Sequence, residues 1–125
     1  MHPKAHHPGF LALVNDAKSR VQQIDIEEYK TMAASNDPPV LVDVREDAEW
    51  ADGHAAGAVH LGKGIIERDI EAKIAGKDKP MVLYCGGGFR SALAADALQK
   101  MGYTKAISLD GGWRAIQSAG LPVER

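Results

Sequence analysis

In the stretch VLYCGGGFRSALAADAL, residues 82–98, the only cysteine of the chain precedes three glycines, Phe89 and Arg90. A thiolate is a nucleophile, and residues without a Cβ let backbone N–H groups turn toward an anion and let a ligand touch the main chain. Each glycine in a regular element costs about 0.5–1 kcal/mol relative to alanine, so three in a row need a reason. Arg90 falls in the first turn of the helical pattern behind the glycines. There the macrodipole disfavours a cation by about 0.3–1 kcal/mol, and an anion reverses that sign. The same helix end favours a thiolate over a thiol at Cys85. Taken alone, a single cysteine is more often a buried, inert residue. Here glycines, arginine and strand-end position agree on a nucleophile facing an anion cradle formed by Gly86, Gly87, Gly88, Phe89 and Arg90.

Such a cradle needs a strand to end and a helix to begin at the cysteine, and the apolar pattern predicts this. VLVDV (40–44) and MVLYC (81–85) are short continuous apolar runs, as expected of strands covered on both faces, and KAISLD (105–110) is a weaker third. Helical spacing marks a stretch beginning near Pro8, with Phe10, Leu13, Val14, Ala17 and Val21 on one face, followed by a short extended piece at 22–24. DIEEYKTMAAS opens with Asp25 and Glu28 in capping-box spacing. DAEWADG, GIIERDIEAKIAG, RSALAADALQKMG and GWRAIQSAG read as further helices, the last two ended by Gly102 and Gly120. Strands alternating with helices predict an α/β fold with right-handed crossovers. Ligands of such sheets bind beyond the carboxyl ends of the strands, so Asp43, Arg45, Cys85 and Asp110 are expected on one rim.

Composition narrows the function. The 125 residues, 45% hydrophobic, suffice for one compact domain and leave no room for a second. A net charge of −2 provides no basic field for a nucleic acid, and no apolar stretch approaches the roughly 18 residues of a membrane span. MHPKAHHPGFLALV has no secretory h-region, so the expectation is a cytoplasmic protein with no membrane or nucleic-acid partner. A lone cysteine in a reducing compartment stays available for chemistry.

Three segments in order resemble the rhodanese sulfurtransferases: LVDVREDAEWADGHAAGAVHL, CGGGFRS and LDGGWRAIQSAGLPVE. The resemblance runs from about Gln22 to the end. It implies a rhodanese-like domain over 22–125 with a five-stranded parallel sheet flanked by helices, on which residues 1–21 pack as a tail and amphipathic helix. It also implies that Cys85 accepts a sulfane sulfur as a persulfide and passes it on. HAAGA departs from the more usual HIPGA at Ala55 and Ala56, which reads as a change in loop stiffness. Phosphatase-like relatives on this fold place five residues between cysteine and arginine, whereas four separate Cys85 from Arg90. The tighter ring favours a sulfur atom over a tetrahedral oxyanion, leaving phosphatase or arsenate reductase as the enzymatic runner-up. A sulfur carrier docking on a protein partner is the alternative of another class.

The expected donor is thiosulfate or a persulfide, and the acceptor is cyanide, a small thiol or a protein thiol. Neither a metal nor an organic cofactor is required. Arg90, with Lys63, would offset donor charge; Arg45 and Trp113 are further candidates for substrate contact. Asp43 is expected to pair with Arg45, and Asp110 to cap the turn into GGW. GAVHLGKG nearly matches a nucleotide phosphate loop, but Gly64 stands where a magnesium-binding hydroxyl belongs. His2, His6 and His7 lie in a Pro-rich terminus. His54 and His60 have no metal-ligand spacing and read as loop histidines bonded to the backbone.

Overall fold

The computed structural model describes residues 6–125; residues 1–5, with His2, lie outside them. Helix α1 (Pro8–Lys18) starts with proline in its first turn, where the missing N–H has no intrahelical role. It buries Val14 and Ala17 against α5 (Phe89–Lys100). Strand β1 (Gln22–Ile24) leads into α2 (Ile26–Ala33), whose start is fixed by the expected reciprocal cap: Glu28 N–H donates to Asp25 at 2.8 Å and Asp25 N–H to Glu28 at 3.1 Å. Then follow β2 (Val40–Asp43), α3 (Asp47–Asp52), β3 (His54–Ala55), β4 (Val59–His60) and α4 (Ile66–Lys73). The chain closes with β5 (Met81–Tyr84), α5, β6 (Ala106–Leu109), α6 (Gly112–Ser118) and β7 (Val123–Glu124).

The main sheet has five parallel strands in the order β1-β6-β5-β2-β4. A second sheet, antiparallel, pairs β3 with β7. These two-residue strands carry no apolar alternation, and the sequence pattern does not mark them. Among the described residues no helix is long and apolar enough to cross a membrane.

Alternation along the strands divides the core in two. Val42, Val44, Met81, Leu83, Cys85 and Ala106 face α4 and α5, where they meet Ile66, Ile70, Ala95 and Leu98. Leu41, Val82, Tyr84, Ile107 and Leu109 face the other way, toward Ile116 of α6 and Tyr29 of α2. This parity decides which of the expected rim residues meet.

Candidate active site

Cys85 follows the last residue of β5 and is 1% exposed. Its sulfur accepts the N–H of Gly88 at 3.1 Å and that of Ser91 at 3.4 Å, and lies 3.5 Å from the Ser91 hydroxyl. Ser91 is in turn bonded to Ser108 through their hydroxyls at 2.8 Å. Ser108 sits on β6 with the parity that faces Cys85, and both serines are fully buried. A polar strut thus holds the thiol on an otherwise apolar face.

The loop is shaped from outside by the start of α6. Trp113 N–H donates to the carbonyl of Cys85 at 2.7 Å, Arg114 N–H to that of Gly86 at 3.3 Å, and Gly111 N–H to that of Gly87 at 3.3 Å. All peptide bonds are trans among the described residues. In a trans peptide C=O and N–H point in opposite directions, so drawing three successive carbonyls toward α6 turns the N–H groups of Gly86, Gly87 and Gly88 toward the loop interior. The N–H of Gly88 reaches the cysteine sulfur; those of Gly86 and Gly87 have no acceptor among the described residues. The first-turn N–H groups of Phe89 and Arg90 have no carbonyl to meet within α5. These donors surround the place where negative charge on a sulfur bound to Cys85 would lie.

Only one of the three loop glycines has a left-handed conformation. Gly88 has φ +106°, whereas Gly86 and Gly87 do not have positive φ. The stricter requirement is at Gly112, with φ +46°: a Cβ there would collide with the carbonyl oxygen of Cys85. Gly112 therefore serves the cysteine loop as much as the loop's own glycines do.

Arg90 borders the cavity above Cys85, as expected, but its guanidinium is paired with Glu49 of α3 at 2.8 and 3.2 Å. The hydrogen bond from Arg90 holds the Glu49 carboxyl below the usual range, and Glu49 in turn raises Arg90. The pair leaves little net charge from Arg90 for a substrate. Glu49, Ser91 and Ser108 carry no sequence signal of a place at the site: nothing in their spacing links them to Cys85 before the strand order is known.

Asp43, Arg45 and Trp113 form a separate cluster on the opposite face of the sheet. Arg45 is 3% exposed and donates to both carboxylate oxygens of Asp43, at 2.8–3.1 Å, and to the Gly53 carbonyl at 2.6 Å. Its guanidinium carbon stands 4.6 Å from the centre of the Trp113 ring. Tyr84, on the same face, accepts the Ala55 N–H at 3.0 Å; burial, and after it the neighbouring Asp43 carboxylate, push its hydroxyl pKa upward. Arg45 and Trp113 thus do not line the Cys85 cavity, because Asp43 and Arg45 share the strand parity of Tyr84 rather than that of Cys85. The Asp43–Arg45 ion pair is present. Lys63 does not line the cavity either, and its N–H donates to the Val44 carbonyl at 2.9 Å. Asp110 is exposed and does not cap α6: the N-cap is Gly111, with φ +84° and no side-chain bond. His54 and His60 do bond to backbone, at the carbonyls of Trp50 and Arg45, both 2.9 Å away.

Above Cys85 opens a cavity of about 620 Å³. Gly86, Gly87, Phe89 and Arg90 line it from the loop and α5, Arg114 from α6, and His6 and Phe10 from the N-terminal segment. For His6 and Phe10 no sequence motif signals a place at the site. Arg114 had a visible signal: Gly-Gly-Trp-Arg repeats the Gly-Gly-Phe-Arg pattern that marked Arg90.

A family model described as Rhodanese-like domain matches residues 25–119. The chain belongs to the rhodanese family. Among curated relatives of this rhodanese, a sulfurtransferase of Allochromatium vinosum is 35% identical over 103 residues, covering 82% of this chain and 94% of the relative. The solution structure of the polysulfide-sulfur transferase homodimer of Wolinella succinogenes matches with TM-score 0.78 and 25% identity, over 93% of this chain and 87% of that one. A protein of unknown function from Rhodopseudomonas palustris, described as a possible tyrosine phosphatase, matches with TM-score 0.75 and 31% identity, over 99% of this chain and all of that one. The five-stranded rhodanese fold expected from the sequence is therefore present, and the relatives place the chain among sulfurtransferases. The family match begins after α1, so the wall built by His6 and Phe10 lies outside the matched residues.

Proposed function

We propose that this rhodanese moves a sulfane sulfur from thiosulfate or a persulfide to cyanide or a thiol through a persulfide on Cys85. The observation that carries this reading is the arrangement of N–H groups around the thiol. Gly88 and Ser91 already donate to Sγ, and the N–H groups of Gly86 and Gly87 are turned inward with no acceptor among the described residues. In the first half-reaction the Cys85 thiolate attacks the outer sulfur of thiosulfate, the S–S bond breaks, and sulfite leaves with the electron pair. The outer sulfur is then anionic and sits among the inward N–H donors, which stabilise it as an oxyanion hole stabilises oxygen. In the second half-reaction an acceptor attacks that sulfur and Cys85 departs as thiolate.

The phosphatase reading draws on the description of the Rhodopseudomonas palustris protein. Against it stand the four-residue spacing from Cys85 to Arg90 and the engagement of Arg90 by Glu49. A carrier that exchanges sulfur with a protein partner uses the same intermediate. Brief exposure to thiosulfate followed by desalting and intact-mass measurement is the test. The protein should be heavier by one sulfur atom, located on the Cys85 peptide, and cyanide should remove it as thiocyanate. A wild type that never gains the sulfur, yet hydrolyses an aryl phosphate, overturns the reading in favour of a phosphatase. The location of the chain is proposed to be cytoplasmic, where a lone thiol stays reduced.

A further inference from the structure

Resting on the sulfur-transfer reading, we propose that the outer wall of the Cys85 cavity is an acceptor subsite for a low-molecular-weight organic thiol that carries a carboxylate. Three independent features of the wall point to that chemistry.

The first is size. A cavity of about 620 Å³ falls in the range of about 300–1,000 Å³ that accommodates small organic ligands. Thiosulfate or cyanide would occupy only the floor at Cys85.

The second is the aromatic wall, to which α1 contributes. Phe89 lies with its ring centre 6.3 Å from that of Phe10, and His6 stands edge-on to Phe89 at 4.5 Å. Lys18 of α1 places its ammonium 4.8 Å from the centre of the Phe89 ring, tying that ring to the helix. Such a surface favours an apolar or aromatic body over an inorganic ion.

The third is charge. Two arginines border the cavity. Arg90 is balanced by Glu49, whereas Arg114 is exposed and has no carboxylate within ion-pair distance among the described residues. The cavity therefore offers one uncompensated guanidinium, suited to a single carboxylate bound through two hydrogen bonds.

With the carboxylate on Arg114 and the body against Phe10 and Phe89, the acceptor thiol is directed toward Cys85. Its thiolate attacks the outer sulfur of the persulfide and the bond from that sulfur to Sγ breaks. The electron pair returns to Sγ as a thiolate, the transferred sulfur keeps the negative charge it carried in the loop, and an organic persulfide anion leaves. No oxidant or reductant enters the step.

The experiment is a single-turnover discharge. Full-length protein is loaded with thiosulfate, desalted and mixed with 4-mercaptophenylacetate, 2-mercaptoethanol or cyanide, and loss of the extra sulfur is followed by intact mass. Comparing each variant with wild type for the same acceptor cancels the intrinsic reactivity of the thiols. Arg114→Gln should slow 4-mercaptophenylacetate about ten-fold more than it slows 2-mercaptoethanol, and Arg114→Lys should recover much of that difference. Phe10→Ala should slow the aryl thiol several-fold more than cyanide, and Phe10→Leu, which keeps the packing of α1, should show the same order of acceptors. Equal slowing of all acceptors, or slowing of none, overturns the subsite. Loading is read before any acceptor is added: a wild type that takes no sulfur overturns the transfer reading itself, whereas a loaded protein with acceptor-independent variants overturns only the subsite.

Discussion

The N–H of Trp113 donates to the carbonyl of Cys85 at 2.7 Å, so the first turn of one helix fixes the backbone from which the thiol at the end of β5 projects. The contact depends on Gly112, whose missing side chain admits the Cys85 carbonyl. Gly112→Ala should therefore damage the loop and not only α6. Positive φ and the crowded carbonyl together are expected to lower stability by about 1–3 kcal/mol, read by denaturant titration, and to slow sulfur loading of Cys85 more than ten-fold. A variant that loses stability but loads sulfur at the wild-type rate would show that the α6 contact does not shape the cradle.

That dependence also shows where sequence reading stops. Cys85, its glycines and Arg90 were legible because strand, loop and helix are contiguous there and each residue type has a local reason. The alternation of apolar runs likewise marked the three longest strands and the helices. What was not legible is which face each strand end presents. Asp43, Arg45 and Cys85 all close apolar runs, but the register that pairs Asp43 with Tyr84 places the ion pair on the face opposite the thiol. Glu49, Ser108 and Arg114 reach the site only through tertiary packing, and β3 with β7 is too short to imprint a period.

Ser91 and Ser108 test the polar strut. Each hydroxyl is buried and has the other as partner, so Ser91→Ala or Ser108→Ala alone should cost about 1–3 kcal/mol through the hydroxyl left behind. The double variant should cost less than the sum of the two, as a double-mutant cycle on urea-unfolding free energies would show. Strict additivity would mean that the two hydroxyls do not depend on each other.

Glu49 sets how much of the Arg90 charge reaches the cavity, and its pH behaviour follows from the pair. The carboxyl pKa is depressed in the folded protein by the Arg90 guanidinium. Its contribution to stability is therefore present above the unfolded value, about 4.3, and lost as pH falls through the lower folded value. Glu49→Gln keeps an acceptor for the Glu46 N–H while removing the charge. The stability difference between wild type and variant should be constant near neutrality and vanish in acid, followed by thermal melts across pH. At neutral pH the freed Arg90 should lower KM for thiosulfate by a factor of about two to five, the scale of a solvent-screened charge pair. An unchanged KM would indicate that thiosulfate does not meet Arg90.

Gly87 and Gly88 separate what the loop glycines do. Gly88 is held at φ +106°, and a Cβ there would stand 3.4 Å from backbone atoms of Leu109, Asp110 and Gly111. Its N–H is also the nearest donor to Sγ, at 3.1 Å. Gly88→Ala must then strain the left-handed backbone, at about 1–3 kcal/mol, or rotate the donor away from the sulfur. Gly87 has no positive φ, and a Cβ there would make ordinary contact with the Phe89 ring at 3.9 Å. Gly87→Ala should fold with nearly wild-type stability, since neither backbone strain nor a clash opposes it. The persulfide lifetime after desalting, measured by mass, should fall at least ten-fold in Gly88→Ala and change less in Gly87→Ala, because only the first substitution disturbs an N–H that already reaches the sulfur. Equal lifetimes in the two variants would mean that the persulfide is held by the α5 end alone, without the donor at Gly88.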